Sequence, residues 1–445
     1  MSDFGMYKMK LILKKIIPKS LVSLYHYLWA AGSAFCYGYP TRDMVVIGVT
    51  GTKGKTTAAN FIWSVLTAAG FKTGLIGTAN IRIGAEERLN PYHMTMPGRA
   101  VLQSQLSKMR KSGCTHCVIE TTSEGVKQWR HLGIFYDICV FMNLSEEHLE
   151  AHGGKMENYM RAKGKIFSAL KNFPKKIIAG KPAQKTIIVN FDSPYKSYYL
   201  GFWAEKKMTF GLQRGAEVRG TDIVSDLEKG ASFKVDQEEF IVNLPGEFNV
   251  VNALSAIAVA KSLDVPASFI RRGLKAVTQV PGRMEKISAG HGFSVFVDYA
   301  HEKLSLGAIL DEAENHTRKN SGRTILLLGA EGGGRDRAKR REMGKMAAGK
   351  ADFVIISNVD PYDDDPKEIL KDIAASAEAC GKIPGKDMFV IEDRREGIAK
   401  ALSIARKNDI VLITGKGAEQ SMIIGGKSIP WDDRVVVKDE LNKLD

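Results

Sequence analysis

Along the chain, short unbroken apolar runs alternate with longer stretches in which apolar positions recur every three or four residues. The runs read as strands buried on both faces, the stretches as amphipathic helices. MVVIGV (44–49) opens the series, and TTAANFIWSVLTAAG (56–70) follows as a helix stopped by Gly70. Further strands are expected at HCVIET (116–121), ICVFMNL (138–144) and TIIVN (186–190). Between about 200 and 245 the pattern shortens and alternates, as in EEFIVNL, which predicts antiparallel hairpins. Helices over 249–262 and 266–276 close this unit.

A second series starts after VPGRMEKI (280–287). Strands are expected at SVFVDY, TILLLG, DFVIIS, DMFVIE and DIVLIT, with helices between them. Repeated strand–helix alternation predicts an α/β fold with mostly parallel sheets covered on both faces. Pro281-Gly282 reads as the linker. The expected division is a short helical N-terminal segment (1–42), a central unit (43–282) and a C-terminal doubly wound, Rossmann-like unit (283–445).

Length supports that division, since 445 residues exceed a single core. The net charge of +14 raises nucleic acid as a partner. Basic residues are scattered, however, with RDRAKRRE (335–342) the only dense cluster, so small anionic substrates are expected and nucleic acid is not. Five cysteines form no disulfide ladder, which suits a reduced, cytoplasmic chain. Cys114 and Cys117 make a lone C-x-x-C without the second pair a zinc site needs. No membrane span or cleaved signal is expected. Residues 8–38 read as an amphipathic helical arm, either packed on the protein or in peripheral contact with a membrane. Its aromatics Tyr25, Tyr27, Trp29 and Tyr37 either stack a base or pack.

The chemistry begins at GVTGTKGKTT (48–57). A strict P-loop has glycine at the place taken here by Val49. Gly48, Gly51 and Gly54 still let backbone N–H groups crowd around phosphate oxygens, and the following helix adds its positive end. Lys55 is placed to reach β- and γ-phosphates, and the Thr56 hydroxyl to ligate Mg²⁺. A nucleoside triphosphate is therefore the expected ligand of a central P-loop-type ATPase. Glu120 ends a strand of the same sheet, where ligands of open α/β sheets collect. NLSEEHLEAHGGKMENYMRAKGKIF (143–167) brings His148, His152 and several acids to that edge, followed by a helix carrying Lys163.

GVTGTKGKTT, NLSEEHLEAHG, YMRAKGKIF, GEFNVVNALSA, PGRME, VDYAH, GGGRDRAKR and GKGAEQ occur in the order seen in Mur ligases, from about residue 44 to the C-terminus. The chain most resembles the UDP-N-acetylmuramyl-tripeptide synthetase branch of that family. The resemblance implies a cytoplasmic, monomeric, ATP-dependent amide-bond ligase of peptidoglycan synthesis. It implies Mg²⁺, as two ions, with Thr56, Glu120, His148 and Lys163 at the metal positions. Lys163 matches a lysine that many members carbamylate, and an unmodified phosphate-binding lysine is the alternative.

The resemblance places nucleotide contacts at Gly51, Thr52, Lys53, Gly54, Lys55, Thr56, Thr57 and Asn252, with Asn249 nearby. Arg283, Asp298 and His301 complete the nucleotide side. Arg335, beside Asp336, is implied as a catalytic cation with Lys55, Lys163 and His148. Substrate contacts are implied at Thr95, Thr122 and Ser123, and on the amino-acid side at Asp360, Tyr362, Asp363, Gly415 and Glu419.

Two departures stand out. The residues before the first strand are too few for the family's uridine-binding domain. Tyr362 takes the place of an arginine that grips the distal carboxylate of meso-diaminopimelate, and Ala418 that of a histidine. A phenol cannot form the bidentate pair a guanidinium makes with a carboxylate. Asp363, Asp364 and Asp365 follow it and suit a distal ammonium, so a basic diamino acid such as lysine is expected. A folylpolyglutamate- or cyanophycin-type ligase with another acceptor and a degenerate nucleotide-binding scaffold are the competing readings.

Overall fold

A computed structural model describes residues 18–444 apart from 85, 93, 148, 288, 289 and 334–336. Helix α1 (Lys19–Cys36) precedes a large sheet. Its strands are β1 (Val45–Thr50), β2 (Thr73–Ile76), β3 (Asn80–Ile83), β4 (Glu86–Leu89), β5 (His116–Glu120) and β6 (Ile138–Phe141). After a small hairpin, β7 (Ile177–Ile178) and β8 (Lys181–Pro182), come β9 (Thr186–Asn190), β10 (Lys206–Gly211) and β11 (Val218–Arg219). The order is β11-β10-β9-β6-β1-β5-β2-β3-β4, parallel except at β3 and β4. Helices α2 (Lys55–Ala68), α3 (Arg99–Lys111), α4 (Ser123–Lys127), α5 (Met156–Ala169), α6 (Lys196–Leu200), α7 (Glu247–Ser262) and α8 (Ala267–Ala276) accompany it.

Every residue of β1, β5, β6 and β9 is buried, as the continuous apolar runs require of strands covered on both faces. Val49, Phe61, Val65, Leu254 and Ile257 fill one side, and Ile119, Tyr136, Phe141, Tyr159 and Phe167 the other. Strands β12 (Thr221–Asp226), β13 (Gly230–Val235) and β14 (Glu238–Val242) form the expected antiparallel flap. Residues 206–211 depart from the hairpin reading. Met208 and Phe210 are buried, and β10 joins the large sheet in parallel register with β9.

The second sheet holds β15 (Glu285–Ile287), β16 (Ser294–Asp298), β17 (Thr324–Leu328), β18 (Phe353–Ile356), β19 (Met388–Val390) and β20 (Ile410–Thr414). Its order is β15-β16-β20-β17-β18-β19, with only β15 antiparallel. Helices α9 (Lys303–Asn320), α10 (Arg337–Lys350), α11 (Pro366–Glu378), α12 (Arg394–Ser403) and α13 (Asp433–Leu441) accompany it, with a hairpin of β21 (Ser421–Ile424) and β22 (Lys427–Pro430). Arg394 and Asp433, both fully buried, pair at 2.6 and 2.8 Å and tie α12 to α13.

At the N-terminal end of β6, buried Asp137 accepts from Lys176 (2.5 Å), Lys185 (2.8 Å) and the Val46 amide (2.9 Å). Such a satisfied cluster fixes register and leaves the opposite strand ends to the chemistry. His116 at the start of β5 packs 4.2 Å from the Phe71 ring, and burial pushes its pKa down to about 4. Between that value and the ordinary 6.5 the unfolded chain binds the extra proton, so this contribution is whole above 6.5 and lost as pH falls toward 4. Thermal melts should show stability falling across that window, with His116→Phe removing up to about 3 kcal/mol of the fall.

Candidate active site

The phosphate loop joins β1 to α2. Gly54 caps the helix with φ 80°, and a Cβ there would lie 2.3 Å from Asn252 Oδ1, so only glycine fits. Asn143, just past β6, braces the loop. Its carbonyl and side-chain oxygen both accept from the Thr52 amide (3.0 and 3.1 Å), and Oδ1 also accepts from the Lys53 amide (2.8 Å). The Thr52 hydroxyl accepts from the Ser145 amide (3.1 Å) and lies 3.3 Å from the Tyr159 hydroxyl. Asn143 and Tyr159 escaped the sequence reading; the first partners a loop about ninety residues away, which no local pattern reveals.

Thr56 donates to both Glu120 oxygens (3.0 and 3.1 Å), and Glu120 also accepts from the Thr78 amide (2.8 Å). Lys55 Nζ turns back onto the Thr52 carbonyl (2.9 Å), and burial holds its pKa below the usual lysine range. Lys163, on α5, is 2% exposed. Its Nζ donates to the Gly51 carbonyl (2.8 Å) and sits 4.4 Å from the centre of the Tyr159 ring. Burial, then the Lys55 charge, drives its pKa well below normal. Lys53 pairs with buried Glu147 at 2.8 Å. Thr57 is buried in α2.

The hydroxyl of Thr56 and the carboxylate of Glu120 are hard oxygen donors that fit one Mg²⁺ at the head of the loop. An ion held there would balance phosphate charge. Lys163, a donor to Gly51, does not fit as a ligand while it remains an amine. His148, Arg335 and Asp336 lie outside the described residues.

Of the residues expected to touch the acceptor, Thr95 shares a hydroxyl contact of 2.8 Å with Thr78, which links it to Glu120. Thr122 caps α4 through the Gly125 amide (3.1 Å). Ser123 is buried, 3.0 Å from His152 Nε2. Asn252 donates to Asn249 (3.1 Å), which donates to the Pro245 carbonyl (2.7 Å), so the two amides brace each other behind Gly54.

The second unit reaches this centre through Arg283. Its Nη2 donates to the Thr56 hydroxyl (3.2 Å), and its guanidinium lies 4.5 Å from the Tyr299 ring centre. Tyr299 donates to Glu419 (3.3 Å), Glu419 pairs with buried Lys416 (2.6 Å), and Lys416 donates to Asp360 (2.7 Å). Asp360 also accepts from the Ile423 amide, and burial raises its pKa. Asp298 accepts from the Met284 and Ala300 amides (2.6 and 2.7 Å), with burial raising its pKa. His301 Nδ1 lies 2.7 Å from the Tyr299 carbonyl. Gly415, after β20, donates its amide to the Asp298 carbonyl (3.1 Å). Ala418 packs against Gly282, where φ is 62° and a Cβ would lie 2.1 Å from the Ala418 nitrogen.

The acidic turn is less open than the sequence suggests. Asp365 caps α11 through the Lys367 amide (2.9 Å), and Asp364 stands 3.7 Å from buried Arg340. Asp363 is exposed, and Tyr362 adopts φ 55° and pairs with Ile424.

A P-loop-type sheet carrying a lysine, a threonine–glutamate pair and a buried second lysine, bridged to a Rossmann-like unit, defines an ATP-dependent ligase. The Mur ligase middle domain matches residues 49–260, and the Mur ligase glutamate ligase domain matches 282–417. The chain belongs to the Mur ligase family. It is 38% identical over 409 residues to the UDP-N-acetylmuramoyl-L-alanyl-D-glutamate–2,6-diaminopimelate ligase of Caldanaerobacter subterraneus subsp. tengcongensis (strain MB4), covering 91% of this chain and 80% of the relative. The UDP-N-acetylmuramyl-tripeptide synthetase of Roseiflexus sp. is 36% identical, over 96% of this chain and 83% of the relative. A solved structure of a UDP-N-acetylmuramoyl-L-alanyl-D-glutamate–2,6-diaminopimelate ligase superposes with a TM-score of 0.60 at 29% identity, covering 90% of this chain and 79% of that one.

Proposed function

We propose that this chain, acting as a monomer, joins a diamino acid to the peptide carboxylate of a UDP-N-acetylmuramyl peptide at the expense of ATP. The contact that carries the reading is Arg283 on Thr56, which links the amino-acid unit to the phosphate loop. The γ-phosphoryl group passes to a carboxylate oxygen and ADP leaves. The amine nitrogen then attacks the acyl carbon, the C–O bond to phosphate breaks with its electron pair, and the amine loses one proton. Lys55 would balance charge on the moving phosphoryl group, and contact between the units would keep water from the acyl phosphate. Incubation with ATP, the UDP-linked dipeptide and an amino-acid panel should release ADP only when acceptor and amino acid are both present. Mass spectrometry should find the acceptor heavier by one aminoacyl residue. ADP release that ignores the amino acid would refute the reading.

Lys163 supports a carbamate. Its depressed pKa favours the neutral amine, whose nitrogen bonds to CO₂ with loss of one proton, giving an anion able to face divalent cations. For the amino acid, Tyr362 and exposed Asp363 support a distal ammonium, as in lysine, over a distal carboxylate. Wild-type protein should prefer lysine over meso-diaminopimelate, and Tyr362→Arg should move the ratio of kcat/KM values toward meso-diaminopimelate by about tenfold. A wild-type preference for meso-diaminopimelate would reverse the assignment.

A further inference from the structure

Helix α1 meets the protein along a thin seam. Ala30, Ser33 and Ala34 are buried, and Ser23 accepts from Trp129 Nε1 (2.9 Å). Among the described residues nothing covers its opposite face. Leu21, Leu24, Tyr25, Leu28 and Phe35 are 51–74% exposed, and with Gly32 they fall within about 100° of arc. Trp29 (53% exposed) and the exposed thiol of Cys36 extend the stripe. Residues 20–36 include no Asp, Glu, Lys or Arg, so nothing charged interrupts it. An apolar stripe of this extent marks an interaction surface.

The sequence leading into the helix names the partner. Residues 8–19, KMKLILKKIIPK, carry Lys8, Lys10, Lys14, Lys15 and Lys19 without an acid, interleaved with Met, Leu and Ile. A protein partner built for the stripe alone would need no such charge, whereas a bilayer with anionic headgroups needs both parts. Aromatic and leucine side chains settle at the headgroup–acyl boundary, and lysines meet the surface potential. No described helix is long and apolar enough to cross a membrane, so the mode is lying on the surface rather than spanning it.

We propose that α1 is an interfacial anchor that seats the enzyme on an anionic lipid surface through Leu21, Leu24, Tyr25, Leu28, Trp29 and Phe35, the lysine charge that precedes it in the sequence selecting anionic headgroups. Full-length protein should co-sediment with vesicles containing about one-third phosphatidylglycerol, and about tenfold less with pure phosphatidylcholine or at high salt. L24E/L28E, on the exposed face, should lose binding at least tenfold while ATP consumption with a soluble acceptor stays unchanged. Brominated lipid should quench Trp29 emission in wild type, a quench absent in W29F. Protein that stays in the supernatant with anionic vesicles overturns the proposal. If that protein sediments as a dimer that L24E/L28E dissociates, the stripe belongs to a second copy of the chain and the proposal falls. Equal binding by wild type and L24E/L28E would also overturn it.

Discussion

Lys55→Ala is expected to lower amino-acid-dependent ADP release by about 10³-fold while leaving the protein folded. The ammonium has no carboxylate partner in the described structure and rests on the Thr52 carbonyl, ready to exchange that oxygen for a phosphate. Its neighbours cannot replace it, since Lys53 is held by Glu147 and Lys163 by Gly51. Burial lowers the Lys55 pKa, so the unfolded chain binds its proton more readily than the folded one. The charge therefore works against folding below its ordinary pKa, and the alanine variant should melt at the same temperature or slightly higher. Coupled-enzyme kinetics and calorimetry on the same preparations separate the two effects. Retained turnover would remove the lysine from the reaction.

Lys163→Ala is the second large effect, a loss of about 10²- to 10³-fold in kcat. If the working group is a carbamate, a short carboxylate such as propionate should enter the vacated space and restore part of the rate. Wild-type protein stripped of CO₂ should slow and recover when bicarbonate is added. Lys163→Met, which fills the space, should resist rescue. A wild-type rate indifferent to CO₂, together with an alanine variant that no carboxylate helps, would assign the role to the amine. The depressed pKa sets the pH sense of this test. The neutral form persists further toward acid than for an ordinary lysine, so dependence on bicarbonate should extend further toward acid as well.

Much of this centre could be read from the chain because its signals are local. Buried parallel strands are unbroken apolar runs, so β1, β5, β6 and β9 were marked by VVIGVT, HCVIE, ICVF and TIIVN. Glycine spacing before a Lys-Thr-Thr helix start announces a phosphate loop wherever it occurs. Strands β2 to β4 went unnoticed because TGLI is short and EERL is an exposed edge without a hydrophobic face. What the chain hid was pairing across distance. The Asn143 clamp on the phosphate loop and the Tyr299–Glu419–Lys416–Asp360 relay each join segments that only tertiary packing brings together. The acidic run misled in the opposite direction. Three adjacent aspartates suggest one cooperating patch, yet one caps a helix and another faces Arg340.

The hydroxyl of Thr56 is claimed from two sides, its proton by Glu120 and an oxygen lone pair by Arg283. Thr56, if it held a divalent cation, would share its oxygen between that ion and a guanidinium of like sign. Arg283 would then find its favourable partner in the phosphates of a bound nucleotide. A bound nucleotide would thus exchange a bond between the two units for one from Arg283 to the nucleotide.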